Sequence, residues 1–194
     1  MRPLRAALDL LTMRDWHTSL GFSVSEASSD ASQSGQAKTM TTTIKLGALG
    51  GQTHLDLYLK TDGAEGHFVN FTSRGGPLET PCLILRTTGR KTGARKLAPL
   101  IYGQDEDRYV IVASLGGAPT HPAWFLNLEA EPKVGFQVID KKFEGLARIA
   151  EGAERERLFT MMTQVYPPYV EYQARTSRQI PVVVLEPTTP IERL

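Results

Sequence analysis

The stretch Pro81-Cys-Leu-Ile-Leu-Arg-Thr-Thr-Gly-Arg-Lys-Thr-Gly-Ala-Arg-Lys-Leu-Ala-Pro-Leu-Ile-Tyr102 decides the fold of this chain. Residues 82–88 are apolar and β-branched, which is typical of a buried strand. A glycine-bent basic turn follows, and residues 97–102 have the composition of a strand that returns beside the first. The stretch therefore predicts an antiparallel β-hairpin with cations at its tip.

Strand patterns dominate the chain after this hairpin, and helices enter late. Hairpin connections of this kind favour an antiparallel sheet or barrel with helices packed outside, a mainly β arrangement of the α+β class, over a doubly wound parallel sheet. Residues 55–59 fit either a helix or an extended segment, and Pro187 is expected to end the last strand. The predicted strands are 109–114, 134–139, 143–150 and 180–185, and the predicted helices are 121–130 and 151–166.

The first 43 residues differ in composition from the rest of the chain. Apolar residues at helical spacing predict a short amphipathic helix within residues 2–11. Residues 23–43 are rich in Ser, Thr, Gln and Ala, which is typical of a disordered linker, and Met40 could be the true start. We therefore expect residues 1–43 to lie outside the fold and residues 44–194 to form one domain.

Charge and cysteine content exclude several classes of protein. A net charge of +1 over 194 residues argues against a general nucleic-acid binder, which needs a broad basic surface. The single cysteine, Cys82, excludes an intramolecular disulfide and fits a buried thiol in a reducing cytoplasm. No apolar run is long enough to span a membrane. The amphipathic segment 2–11 could touch the cytoplasmic face of the plasma membrane, and an unstructured extension explains it equally well.

Common catalytic patterns are missing from the sequence. The histidines show no metal-ligand spacing, so no metal site is expected. The G-x-G-x-x-G and G-x-x-x-x-G-K-[ST] phosphate motifs and the G-x-S-x-G elbow are absent. Any redox chemistry must therefore come from a bound cofactor.

The hairpin tip is the strongest candidate for a binding site. Residues 86–96 contain five basic residues and no acid, and Gly89 and Gly93 allow the backbone to bend sharply. Arginine side chains and bare backbone N–H groups together suit an anion with several oxygens, such as a phosphate or a carboxylate. The alternative is a solvated basic hairpin without a ligand.

Five motifs resemble a known family when they are taken together. The resemblance is to the deazaflavin (F420)-dependent nitroreductase family, also called the nitroreductase/quinone reductase family of actinobacteria, and it covers about residues 84–187. It implies a split β-barrel related to FMN-binding, pyridoxamine-oxidase-like barrels. The motifs are Gly89-Arg-Lys-Thr-Gly93, Ala113-Ser-Leu-Gly-Gly-Ala118, His121-Pro-Ala-Trp-Phe-Leu-Asn127, Tyr166-Pro-Pro-Tyr-Val-Glu-Tyr-Gln-Ala-Arg-Thr176 and Ile180-Pro-Val-Val-Val-Leu-Glu-Pro187.

The resemblance also implies a cofactor and the residues that bind it. The cofactor is coenzyme F420, an 8-hydroxy-5-deazaflavin whose tail carries a phosphodiester and several glutamates, so it matches the basic turn in charge. Arg90, Lys91, Thr92 and Arg95 would hold this tail. The residues along the deazaflavin would be Pro99, Tyr102, Ala113, Ser114, Gly116, Gly117, Trp124 and Asn127.

Three tyrosines spaced by three residues are the candidates for catalysis. By resemblance, Tyr169 first, then Tyr172 and Tyr166, would line the acceptor side of the deazaflavin, with Ser114 as a further proton or hydrogen-bond donor. The alternative is plain aromatic packing with hydroxyls at the surface. Leu115 departs from the family pattern, because many members carry lysine at this position, and it puts the acceptor preference in doubt.

The implied function is hydride transfer from reduced coenzyme F420 to a quinone or a nitroaromatic acceptor. Two alternatives stay open, namely a non-catalytic F420-binding or carrier protein and an FMN-dependent split-barrel reductase. A binding module for an acidic partner is a further possibility. The sequence does not decide between a monomer and a homodimer.

Overall fold

The structure, a computed structural model, describes residues 42–45 and 51–194, which include eight strands. Most of these strands are joined by hairpins, as the sequence predicts, and the basic turn joins the third strand to the fourth. The strands are β1 (Thr42–Lys45), β2 (Glu65–Asn70), β3 (Thr80–Thr88), β4 (Arg95–Asp105), β5 (Arg108–Val112), β6 (Lys133–Val138), β7 (Lys141–Ile149) and β8 (Val182–Pro190).

Six of these strands close into an antiparallel barrel. The order runs β3-β4-β5-β8-β7-β6, and β6 pairs back with β3 through Ile84 opposite Gln137. β2 extends the sheet beyond β3, and β1 pairs with β2 in parallel at the edge. The predicted split barrel of the mainly β, α+β class is therefore confirmed.

Four α-helices accompany the barrel in the described residues. The undecided segment 55–59 lies in a helix, because its apolar residues Leu55 and Tyr58 are spaced three apart and both are buried. The predicted helices at 121–130 and 151–166 are present within narrower bounds. The helices are α1 (Gly51–Lys60), α2 (Ala123–Ala130), α3 (Gly152–Val165) and α4 (Tyr169–Ala174).

Strand β8 contributes side chains both to the barrel interior and to the packing of the helices outside it. Val182, Val183, Val184 and Leu185 are all fully buried, although successive strand residues point to opposite faces. Val183 and Leu185 pack in the barrel interior, whereas Val182 and Val184 pack outside against the cluster that includes residues of α3 and α4. A continuous apolar run is therefore needed, because helices cover the outer face of the strand.

The predicted end of β8 at Pro187 is wrong, since the strand continues to Pro190. Pro187 lies opposite Gly145 at an irregularity in the β7–β8 register. Proline is tolerated in a strand at such a position, where the regular ladder of N–H donors is interrupted.

Asp105, the last residue of β4, is buried although it lies beside a polar turn. Its carboxylate accepts hydrogen bonds from Arg157 of α3 at 2.6 and 3.0 Å and from Arg108 at 2.5 Å. These bonds, with Arg157 as the largest cause, hold the pKa of Asp105 below its usual range. Asp105 thus anchors α3 to the β4–β5 hairpin.

The predicted amphipathic helix and linker of the N-terminal region lie outside the described residues, apart from the start of β1. That strand begins at Thr42, just before the expected domain start at residue 44. Among the described residues, no helix is long and apolar enough to cross a membrane.

Candidate functional site

Two adjoining hollows lie along β4, and the first of them is beside the tip of the β3–β4 hairpin. The first, of about 670 Å³, is lined at one end by Arg90, Lys91 and Lys96, and we call it the basic hollow. The second, of about 440 Å³, is lined by the three tyrosines, and we call it the aromatic hollow. Their shared walls make them one groove with two chemically different ends. The shared residues are Pro99, Leu100, Leu115, Pro122 and Trp124.

The basic hollow takes its shape from a tightly closed turn. The N–H of Gly89 donates to the carbonyl of Ala94 at 2.8 Å, and the N–H of Gly93 donates back to Gly89 at 2.7 Å. Gly93 has φ of 68°, a left-handed conformation that glycine adopts without a steric cost. The turn therefore holds Arg90, Lys91 and Thr92 exposed at its tip.

Asn127 of α2 ties this turn to the body of the protein. Its buried side-chain oxygen accepts from the backbone N–H of Arg90 at 3.2 Å and from the Arg90 guanidinium at 3.3 Å. Its amide nitrogen donates to the Thr87 hydroxyl at 3.2 Å. Asn127 lines the basic hollow and also fixes the direction of Arg90.

Strand alternation separates the last two cations of the basic run. Arg95 and Lys96 are the first residues of β4, opposite Thr88 and Thr87, so their side chains point to opposite faces of the hairpin. Lys96 lines the basic hollow and Arg95 does not. The sequence predicted Arg95 as a cofactor-binding residue and missed Lys96, because the start of β4 at residue 95 was not recognised.

The three predicted catalytic tyrosines come together in the aromatic hollow. The ring of Tyr166 lies 5.0 Å from that of Tyr169 and 6.1 Å from that of Tyr172, and all three pairs are tilted or edge-on. The hydroxyls of Tyr166 and Tyr172 are 3.2 Å apart. Phe71, from the loop after β2, packs edge-on against Tyr166 at 5.4 Å.

Burial makes two of these phenols weaker acids than a free tyrosine. It raises the pKa of Tyr169 and is the largest cause of the raised pKa of Tyr166. Both hydroxyls are therefore protonated at neutral pH, so they can donate hydrogen bonds into the hollow. Ser114 lies in the wall of the same hollow and adds another hydroxyl.

The loop after β5 forms the wall of the aromatic hollow that lies between the tyrosines and the barrel. Leu115, Gly116 and Gly117 have φ of 46°, 66° and 82°, a run of left-handed residues in which only Leu115 carries a side chain. A Cβ added to Gly117 would lie 2.6 Å from the carbonyl oxygen of Tyr172, whereas one added to Gly116 would meet nothing within 4 Å. Gly117 thus seats α4 against the loop, and Gly116 leaves the backbone open to the hollow.

Arg178 holds this loop in place, and the sequence did not point to it. Its guanidinium donates to the carbonyls of Ala113 at 3.1 Å, Ser114 at 2.7 Å and Ala118 at 2.8 Å. One guanidinium nitrogen also lies 3.4 Å from Nδ1 of His121. An arginine bound only by uncharged acceptors shapes a loop, and no local sequence pattern distinguishes it from a surface arginine.

Two further residues in the aromatic hollow were missed. Arg74, which follows β2 in the chain, lines the hollow beside the tyrosines. His54 of α1 also lines it, with Nε2 donating to the Gly66 carbonyl at 2.7 Å. Burial lowers the pKa of His54, so its imidazole is neutral at physiological pH.

Several predicted cofactor residues lie away from both hollows. The ring of Tyr102 packs inside the barrel against Tyr109 at 5.7 Å, and Ala113 is fully buried in the same interior cluster. Gly117 faces α4, and Arg95 faces away from the basic hollow. The structure therefore gives these four positions no direct access to the groove, and their roles toward a cofactor stay predictions.

The remaining predicted residues fit a long anionic cofactor with an aromatic head. Arg90, Lys91 and Thr92 provide cations and a hydroxyl at one end, while Pro99 and Trp124 provide an apolar wall that continues into the aromatic hollow. In the part of the chain that the structure describes, no aspartate or glutamate lines either hollow. The groove is thus suited to an anionic tail beside a flat ring.

Comparison with known proteins gives the same picture. The family model described as F420H(2)-dependent quinone reductase matches residues 52–187. An F420H(2)-dependent quinone reductase of Mycobacterium tuberculosis is 39% identical over 135 residues, which cover 68% of this chain and 86% of the relative.

Solved structures agree with the curated relatives. A structure described as an F420-H2 dependent reductase is 42% identical, covers 55% of this chain and 94% of its own, and has a TM-score of 0.52. Another, described as a domain-swapped dimer, is 40% identical, covers 60% of this chain and 88% of its own, and has a TM-score of 0.53. The resemblance stated from the motifs is confirmed, and the chain belongs to the F420H(2)-dependent quinone reductase family.

Proposed function

We propose that this chain catalyses hydride transfer from reduced coenzyme F420 to a quinone, with the anionic tail in the basic hollow and the acceptor in the aromatic hollow. The observation that carries the proposal is the single groove with cations at one end and neutral hydroxyls at the other. The family name supports both the cofactor and the acceptor class.

At the basic end, the protein's task is to hold charge in a fixed place. Arg90 is directed by Asn127, while Lys91, Lys96 and the Thr92 hydroxyl are available from the same turn. Each charge-assisted contact to a phosphate or carboxylate contributes about 1.5–3 kcal/mol. Two such contacts are enough to make this end a principal source of affinity for the tail.

At the aromatic end, the task is to orient an acceptor. When bound, coenzyme F420 supplies a hydride equivalent. Tyr166, Tyr169, Tyr172 and Ser114 supply hydroxyls that can hydrogen-bond an acceptor oxygen as its negative charge develops. The raised pKa values of Tyr166 and Tyr169 make these phenols weak acids, so they stabilise an oxyanion by donation better than they release a proton. Water then delivers the proton that completes the quinol.

A titration followed by a turnover assay tests this function. Oxidised coenzyme F420 should quench the fluorescence of Trp124, which lines both hollows, and FMN should not compete at equal concentration. Adding a naphthoquinone to the chain with the reduced coenzyme should oxidise the coenzyme. Binding without turnover would favour the carrier alternative, and tight FMN binding would favour the flavin alternative.

Quinone and nitroaromatic acceptors can be separated in the same assay. Both are flat and apolar, so both fit against the aromatic wall that Phe71 and the tyrosines form. A quinone oxygen lies in the ring plane and needs one or two hydroxyl donors, which the tyrosines provide. We expect higher kcat/KM for a naphthoquinone than for a nitrobenzene of similar size.

A further inference from the structure

The loop after β2 forms a firm platform at the aromatic end of the groove. The N–H groups of Arg74 and Gly76 both donate to the carbonyl of Phe71, at 2.8 and 3.0 Å, and the N–H of Phe71 donates to Pro77 at 3.0 Å. A Cβ added to Gly76 would lie 2.4 Å from the ring of Tyr166. The loop is therefore packed directly against the tyrosine cluster, and Arg74 projects from it.

Arg74 is free to bind a ligand. Most arginines of the described residues make side-chain hydrogen bonds or salt bridges, such as Arg148 with Glu154 at 2.7 Å. The Arg74 guanidinium makes neither within residues 51–194 and is exposed, yet it lines the aromatic hollow. No hydrogen bond or salt bridge with another described residue explains its place there.

The charge of Arg74 is also unopposed inside the hollow. It is the one permanently charged side chain among the described residues that line the aromatic hollow, since His54 is neutral and no acid is present. The basic turn does not share this space, because Arg90, Lys91 and Lys96 line the basic hollow alone. The groove therefore carries positive charge at both ends, and an anionic cofactor tail accounts for only one of them.

We infer that Arg74 selects acceptors that carry an anionic substituent, such as a carboxylate, on or beside an aromatic quinone ring. This inference rests on the proposed function, because it assigns the aromatic hollow to the acceptor. The guanidinium fork pairs with a carboxylate through two N–H donors, while the ring packs against the aromatic wall that Phe71 and the tyrosines form.

Arg74 also acts on the tyrosines themselves. Burial raises the pKa of Tyr166, and the positive charge of Arg74 opposes that rise, so the two groups are close enough to interact. An anionic substituent at Arg74 therefore lies near the Tyr166–Tyr172 hydroxyl pair, which can hydrogen-bond the reducible carbonyl. In one bound acceptor, the anionic group would thus bind Arg74 and the carbonyl would accept from the tyrosine hydroxyls.

The test compares two matched quinones. One is a 1,4-naphthoquinone with a propionate side chain, and the other is its methyl ester, so the methylene spacer keeps their reduction potentials similar. The wild-type chain should prefer the carboxylate in kcat/KM and, by calorimetry with oxidised coenzyme F420 bound, in Kd. Arg74→Gln should lower this preference about fivefold, the upper range for an exposed ion pair.

Three controls test whether the charge and shape of the Arg74 side chain cause the preference for the carboxylate. Arg74→Lys should restore part of the preference, because it keeps the charge and loses the fork. Arg193→Gln removes an exposed cation that lines neither hollow and should leave the preference unchanged. Raising the salt from about 0.01 M to about 1 M should shrink the wild-type preference, since the Debye length falls from about 30 to about 3 Å.

The results distinguish a failure of the proposed function from a failure of the role assigned to Arg74. If the wild-type chain reduces neither quinone, the proposed function fails. If it reduces both equally well, and Arg74→Gln does the same, the proposed function stands and the role of Arg74 is overturned. A weaker affinity of Arg74→Gln for coenzyme F420 with an unchanged carboxylate-to-ester ratio also overturns it, because Arg74 would then contact the cofactor.

Discussion

The basic and aromatic ends of the groove are built in different ways. The basic end is a continuous turn whose tip, Arg90 to Thr92, is exposed and tied to the body of the protein mainly through Asn127. The aromatic end takes side chains from the loop after β2, the loop after β5 and the segment around α4, and its tyrosines belong to the buried core. Binding and stability are therefore separable at the basic end and coupled at the aromatic end.

Solvent acts differently on the two ends for the same reason. Exposed cations keep their charge and are screened by salt, so their contribution depends on ionic strength. Buried phenols are shielded from salt but have raised pKa values, so their contribution depends on remaining neutral donors. Each of the following measurements probes one side of this contrast.

The largest effect is expected from the glycine that seats α4. Gly117→Ala combines a left-handed conformation, which costs an alanine about 1–2 kcal/mol, with a clash against the Tyr172 backbone. Overpacking of this kind costs about 1–3 kcal/mol more, so urea unfolding should show a loss of about 4 kcal/mol. Gly116→Ala is the matched control, because it has the same conformation in open space and should lose about 1 kcal/mol.

The rate of acceptor reduction should fall more in Gly117→Ala than in Gly116→Ala. Displacing Tyr172 in Gly117→Ala should slow reduction, while affinity for coenzyme F420 at the basic turn stays within about twofold, or about 0.4 kcal/mol. Equal losses of stability in the two alanine variants would show that the contact with α4 does not hold the aromatic end together.

Acid should destabilise the protein through a buried histidine near the aromatic end. His67 lies 3.4 Å from the hydroxyl of Tyr58, and burial lowers its pKa to about 4 from an ordinary value of 6.5. The unfolded chain therefore binds a proton that the folded chain rejects, so stability is complete above pH 6.5 and falls as the pH drops toward 4. The loss from this group should reach about 3 kcal/mol.

Unfolding titrations between pH 7 and pH 4 measure this loss. His67→Gln should flatten the slope in that range, because glutamine does not titrate. An unchanged slope in His67→Gln would assign the acid sensitivity to other groups.

The difference between the two ends also explains what the sequence could predict. The barrel strands and the basic turn depend on local patterns, such as the apolar run in β3 and the glycines at 89 and 93, and both were predicted. Arg74 and Arg178 act through positions distant in the chain, Tyr166 in one case and residues 113–118 in the other. A single sequence without an alignment carries no signal for such contacts.

A misplaced strand boundary affected which faces of the hairpin could be predicted. The predicted strand began at residue 97, two residues later than the observed β4, so Arg95 and Lys96 were assigned to the turn. As neighbouring residues of a strand, they face opposite sides of the hairpin. Tyr102 was assigned to the cofactor by resemblance, yet its position in the β4 alternation directs it into the barrel. Side-chain direction along a strand has a period of two, so the face of each residue follows from the register alone.

A smaller effect is expected from the exposed cations. Arg90→Ala combined with Lys91→Ala should weaken binding of coenzyme F420 at least tenfold, because two charge-assisted contacts are lost. The melting temperature should not change, since both side chains are exposed and Asn127 can still accept from the backbone N–H at position 90.

Calorimetry at low and high salt checks this result. The difference between wild type and variant should narrow as salt rises, because the contacts are screened. An unchanged affinity at low salt would show that the tail does not lie in the basic hollow. A fall in melting temperature would instead show that the turn contributes to the fold.

The smallest effect is expected from a single hydroxyl. The Tyr169 hydroxyl makes no hydrogen bond to another described residue, although the side chain is almost fully buried in the wall of the aromatic hollow. A hydroxyl that makes no hydrogen bond within the protein contributes little to the fold, so Tyr169→Phe should leave the free energy of unfolding unchanged or slightly raised.

Reduction of the acceptor should slow in Tyr169→Phe by about fivefold, the equivalent of one hydrogen bond of about 1 kcal/mol, while coenzyme affinity is unchanged. Tyr109→Phe is the matched control, since Tyr109 packs with the barrel interior and lines neither hollow. If Tyr169→Phe turns over every quinone at the wild-type rate, the hydroxyl has no part in the reaction. The aromatic end would then act on the acceptor through Tyr166, Tyr172 or Ser114, whose hydroxyls line the same hollow.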